Sequence, residues 1–103
     1  MREFDIFVPL FFNDGRPVDA EFFQELQARL LSSFNGLTFF PQPNKGYWKM
    51  GPATFQDEIV IYRVFSEKTR KPRKFLSQLK KWMMETLEQH EILIIERTVT
   101  NVP

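Results

Sequence analysis

Asp57, His90 and Glu91 are the candidate acid–base residues of this 103-residue chain. His90 is the single histidine and stands in "EQHEIL" between Glu88 and Glu91. An imidazole beside carboxylates is the minimal kit for proton transfer near neutral pH. One imidazole falls short of a typical zinc donor set, so no metal is implied, and a surface histidine between a helix and a strand is the simpler reading. Asp57 and Glu58 precede the third predicted strand and point to opposite faces, so they do not form a carboxylate pair. Topology places Asp57 and His90 at opposite ends of the sheet, about 20 Å apart. Within one copy they are not expected to converge; two copies would be needed.

Two further groups suit binding rather than proton transfer. The stretch "GLTFFPQPNKGYWKMG", residues 36–51, follows no regular period. It offers Tyr47 and Trp48 as a stacking wall, with Lys45 or Lys49 as an anion contact. The competing reading is a connection, residues 41–54, whose aromatics fold back to plug an apolar gap, and the sequence favours this structural role. The second group is "EKTRKPRK", where Lys68, Arg70, Lys71, Arg73 and Lys74 face a single acid, Glu67. Cations at a helix N-terminus oppose the macrodipole, whereas an anion would satisfy both charge and free N–H groups. Phosphorylated ligands and nucleic acid are the candidates. Against them stand a net charge of only +1 and the lack of an aromatic RNA-binding motif on the central strands. Asp14 and Asp19 are expected at the same sheet end, where they would neutralise the run.

The elements that must position these residues follow from periodicity. "EFDIFVPLFF" alternates as a strand, with Pro9 marking a bulge or an unpaired position. From Asp19, a predicted N-cap, Phe22, Phe23, Leu26, Leu30 and Phe34 form a helical stripe that ends at "FNG", with Asn35 or Gly36 left-handed. "LTFFP" is a short strand, and "FQDEIVIYRVF" is the strongest strand in the chain. Pro72 opens a second helix whose stripe runs through Phe75, Leu76, Leu79, Trp82, Met83 and Leu87. "EILIIERTV" closes as a strand. The order β-α-β-β-α-β predicts a ferredoxin-like α+β domain over residues 1–103: a four-stranded antiparallel sheet, order 4-1-3-2, with both helices on one face.

The opposite face is then unusually apolar. Phe7 and Phe11 share it with one side of "IVIYRVF" and with either Ile92 and Ile94 or Leu93 and Ile95. A patch of many hundreds of Å² calls for cover; a homodimer through the open sheet face is the simplest remedy, and the 41–54 segment is the alternative.

Composition bounds what remains. Apolar residues make up 43%, charged residues 26% and aromatics 16%, with 12 Phe, an ordinary folded-domain profile with a heavy aromatic load. The absence of cysteine removes disulfide scaffolds, thiol nucleophiles and Cys–metal sites. No P-loop, dinucleotide fingerprint, nucleophile elbow or metal-binding helix motif occurs, so no cofactor is implied. No apolar run approaches a membrane span, and the N-terminus lacks a signal-peptide pattern; the expectation is a cytoplasmic protein with no membrane partner.

The pattern Gly36-Leu37-Thr38, then Gly46-x-Trp48, then Asp57 before the third strand and Glu91 opening the fourth resembles a loose group of small uncharacterised bacterial proteins. His90 stands where that group has glutamine. The resemblance implies a ferredoxin-like fold and carries no settled activity. The leading expectation is a homodimeric module that binds a protein partner or small ligand. The alternatives are a small cofactor-free enzyme of dimeric α+β-barrel type, using Asp57, His90 or Glu91, and a nucleic-acid binder working through residues 68–81.

Overall fold

The computed structural model describes residues 1–103. Its elements are β1 (Arg2–Pro9), α1 (Ala20–Ser33), β2 (Thr38–Met50), β3 (Ala53–Ser66), α2 (Arg70–Thr86) and β4 (Ile94–Thr98). They build one antiparallel sheet in the order β2-β3-β1-β4, so the ferredoxin-like βαββαβ fold and its strand order stand as the periodicity predicts.

Alternation along the two central strands decides which side chains meet the helices. Phe4, Ile6 and Val8 of β1 and Val60, Tyr62 and Val64 of β3 are all buried. The helices lay Phe22, Leu26 and Leu30 of α1, and Leu76, Leu79 and Met83 of α2, against them in one apolar cluster. A 3.6-residue stripe packed on a 2-residue stripe frames this core, and Phe34, Leu87 and Ile92 complete it from just beyond the element ends. Trp82 stacks on Phe22 at 5.1 Å, with the Arg29 guanidinium 3.9 Å from its ring centroid. Tyr62 keeps its phenol satisfied by accepting from Gln27 Nε2 at 3.0 Å, and burial pushes its pKa up.

Helix ends follow local chemistry. Asp19 caps α1 through a 3.0 Å bond from the Phe22 amide, as predicted. The α1 exit differs from the expectation: Phe34 is extended, and neither Asn35 nor Gly36 is left-handed. The left-handed exit belongs to α2 instead. Glu88 takes φ 55°, and the Gln89 amide returns to the Met84 carbonyl at 2.9 Å, the six-to-one bond of a Schellman motif.

The largest departure lies between residues 41 and 54. Rather than folding back as a connection, most of this segment is strand: β2 runs on to Met50, and β3 begins at Ala53. Gly51 and Pro52 make a two-residue turn in which Gly51 supplies φ 59°, as a primed hairpin turn requires. Register pairs Asn44–Met50 with Ile59–Ala53, while β1 ends opposite Ile59. Residues 44–58 therefore leave the sheet as a two-stranded arm. It stretches the molecule to 46 × 29 × 25 Å, with a radius of gyration of 14.3 Å against about 13 Å for a compact chain of this length.

Two expectations about sheet ends are corrected by the pairing. Both β3 and β4 run antiparallel to β1, so they run parallel to each other and begin at the same end. Asp57, in the arm portion of β3, and His90, just before β4, thus lie toward the same end of the sheet, separated laterally by β1, about 10 Å for two strand spacings. Conversely, β3 ends opposite Arg2, while Asp14 and Asp19 follow the other end of β1. The basic run after Ser66 lies at the end opposite to those acids, which therefore do not neutralise it.

Candidate functional site: the open sheet face and its edge cleft

On the face away from the helices, β1 presents Glu3, Asp5 and Phe7, β3 presents Ile59, Ile61, Arg63 and Phe65, and β4 presents Ile95 and Arg97. The centre of that face is charged, which corrects the expectation of a continuous apolar surface. Asp5 is 3% exposed and accepts from Arg63 Nε at 2.8 Å and Nη2 at 2.9 Å, a bidentate fork. Arg97 Nη1 bridges Glu3 at 2.7 Å and Asp5 at 2.9 Å. The Arg63 hydrogen bonds, against the opposing cost of burial and with help from Arg97, hold the Asp5 carboxyl below its usual range. Two acids and two arginines cancel, so the lattice is neutral, and no buried side-chain polar atom in the chain lacks a partner.

Around this lattice the face is apolar and uncovered. Phe40, Phe55 and Phe65 are 37%, 42% and 43% exposed, and Phe40 lies 5.0 Å beneath the Arg63 guanidinium. Leu93 is exposed, while Ile92 and Ile94 turn to the core, which settles the orientation of the last strand.

At the sheet end where β3 finishes, a cleft of about 680 Å³ opens between Met1, residues 33–38, Arg63, Phe65 and residues 66–68. Arg63 belongs to both the lattice and the cleft.

The arm explains the Gly-x-Trp…Asp pattern. Trp48 faces Phe55 across the ribbon and stacks on it at 4.7 Å. Its indole Nε1 donates to Asp57 Oδ2 at 2.7 Å. Asp57 pairs with Gly46 in the register, so the three motif residues form one cross-strand staple on the face continuous with the open sheet. Alternation sends Lys45, Tyr47 and Lys49 to the other side. The proposed wall of Tyr47, Trp48 and Lys49 is therefore divided between two faces.

The acid–base candidates are engaged separately. Asp57 holds Trp48. Glu91 takes Lys80 at 2.7 Å and the Ile92 amide at 2.9 Å, and the Lys80 hydrogen bond lowers its carboxyl. His90 is exposed and makes no hydrogen bond or ion pair. No cluster of three His, Asp or Glu side chains suits a metal ion. In the basic run, Arg73 forms a two-pronged ion pair with Glu96 of β4, Nε at 2.7 Å and Nη2 at 2.5 Å. Arg70, Lys71 and Lys74 have no carboxylate within 4.0 Å; α2 has no side-chain N-cap and no acid in its first turn.

The Glu3–Asp5–Arg63–Arg97 lattice escaped sequence reasoning. Two carboxylates alternating with Phe4 and Ile6 in the first strand were the available signal, but their arginines sit on two other strands, 58 and 92 residues away from Asp5.

Comparison with known proteins supports the fold. No family model matches the chain, and no curated protein matches it by sequence. Among solved structures, a phage SAM lyase in complex with S-methyl-5'-thioadenosine is similar, with a TM-score of 0.69 and 14% identity over 93% of this chain and 79% of that one. A variant of CutA1 from Pyrococcus horikoshii OT3 is similar with a TM-score of 0.59 and 17% identity, over 100% of this chain and 87% of that one. At these identities the likeness concerns the fold. No helix of the chain is long and apolar enough to cross a membrane.

Proposed function

We propose that this chain is a self-associating ferredoxin-like module that binds a small ligand, with the arm and the open sheet face forming the contact between copies. The arm carries the reading. A lone two-stranded ribbon is marginal in water, yet residues 44–58 pair in full register outside the core and carry exposed Trp48, Phe55 and Met50. A ribbon of this kind gains its missing cover from another chain. The neutral ion lattice suits burial, because its charges are already paired and association leaves none stranded. A Cβ built at Gly46 meets nothing within 4 Å, so the open space above the staple is available to a neighbouring copy. A homodimer is the simplest closed arrangement. We extend the resemblance to the small bacterial group in the same sense: its short motif marks the arm. Hydrogen exchange tests the contact. Amides of Thr54 and Gln56, which alternation turns to the edge left free by β1, should be protected at high protein concentration and should lose protection on dilution; fast, concentration-independent exchange contradicts the reading.

A second reading, a small cofactor-free enzyme, is favoured by one observation. The fold is shared with a lyase whose structure holds S-methyl-5'-thioadenosine. Asp57, His90 and Glu91 are its acid–base candidates. Calorimetric titration with S-methyl-5'-thioadenosine tests the ligand class, and no heat at millimolar ligand sinks that transfer. Nucleic-acid binding through Arg70, Lys71 and Lys74 predicts affinity that falls steeply with salt.

A further inference from the structure

We propose that the edge cleft binds a small organic anion, a carboxylate or phosphate ester carried on a flat apolar body. This names the ligand class for the small-ligand half of the reading above; no lining residue belongs to the arm, but Arg63 and Phe65 also lie on the open face, so binding and assembly are read on the same samples. A volume of about 680 Å³ is in the range of small-molecule sites, about 300–1,000 Å³. Its walls are unlike on two sides. Phe34 and Leu37 reach the cleft from the core side, and Phe65 stands on the open face at 43% exposure, a surface on which a ring can stack.

The other flank is built of donors. Asp5 holds Arg63 through Nε and Nη2, which leaves Nη1 without a partner and fixes the guanidinium before any ligand arrives. A donor ordered in advance loses little entropy on binding. Lys68 also lines the cleft and has no carboxylate within 4.0 Å, and the Thr38 hydroxyl makes no hydrogen bond in the chain. Glu67 is the one acid in the lining; its side chain is 80% exposed, so it is well solvated and weak at a distance. Selection therefore comes from the donors rather than net charge: Arg63 and its register partner Thr38 line the cleft together with Lys68, and offer an oxyanion three donor groups beside apolar surface.

Phenyl phosphate, inorganic phosphate and benzyl alcohol separate the two parts of the proposal in a nitrogen-15 amide-shift titration. Phenyl phosphate should shift the amides of residues 35–38 and 65–68 saturably, with at least tenfold higher affinity than either other probe. Lys68→Ala, an exposed substitution with no packing cost, should weaken it about tenfold, and Thr38→Val severalfold. Shifts confined to residues 70–74, equal affinity for benzyl alcohol or inorganic phosphate, or no saturation with tens of millimolar phenyl phosphate would each overturn the proposal. Light scattering of the same samples reports assembly separately, so a monomer that binds phenyl phosphate contradicts only the self-association.

Discussion

Asp5 is the side chain on which most of the open face depends. It is nearly inaccessible, lies mid-strand, and carries both arginines of the lattice. Removing its charge leaves Arg63 and Arg97 without their principal acceptor, but both retain Glu3 and partial solvent access, so the full penalty for breaking a buried pair is not reached. Asp5→Asn should therefore destabilise the fold by about 2 kcal/mol in urea unfolding, below the range for a fully buried pair. The pH dependence has a definite sign. The folded Asp5 pKa is lowered, so its contribution is complete above the unfolded value, about 3.9, and is lost as pH falls through the folded value. Wild-type stability should drop below about pH 4, and the Asn variant should show a shallower drop in the same acid titration. Only half of this was legible: acids alternating with phenylalanine and isoleucine are visible in "REFDIF", whereas their partners come from strands that adjoin β1 only after both crossovers have closed.

Elements were legible where one face meets the core. The stripe from Phe22 to Phe34 and the alternation of "IVIYRVF" record burial directly, and both became the elements they predict. The arm left no such record because neither of its faces is buried in this chain, so residues 44–50 carry no alternation to read. Its prolines added to the disguise. Pro41 and Pro43 fall where the register shifts between Phe40 and Asn44, a place where a missing N–H breaks no ladder. The staple should govern the arm without supporting the core. Asp57→Ala should speed hydrogen exchange across residues 44–58 while leaving the global unfolding midpoint nearly unchanged. Helix α2 provides a second test at this scale. Its first turn holds cations and no acid, so Arg70→Glu should raise stability by about 0.5 kcal/mol through the macrodipole, read as a higher melting temperature. A fall in melting temperature would mean that Arg70 has a structural role which the fold does not reveal.

At the scale of the molecule, a two-layer domain carries a ribbon that its own core does not need. The same sheet shows a neutral lattice ringed by exposed phenylalanines, a surface whose burial strands no charge. Both features are accounted for at once if copies of the chain cover one another. Light scattering over a concentration series, on wild type and Trp48→Ala, tests this most directly. The account predicts a wild-type mass at least twice the 12.4 kDa of one chain, and a Trp48→Ala variant that falls toward a single chain with its circular dichroism intact. A wild-type mass of one chain at every concentration, with an equally ordered arm, would contradict it.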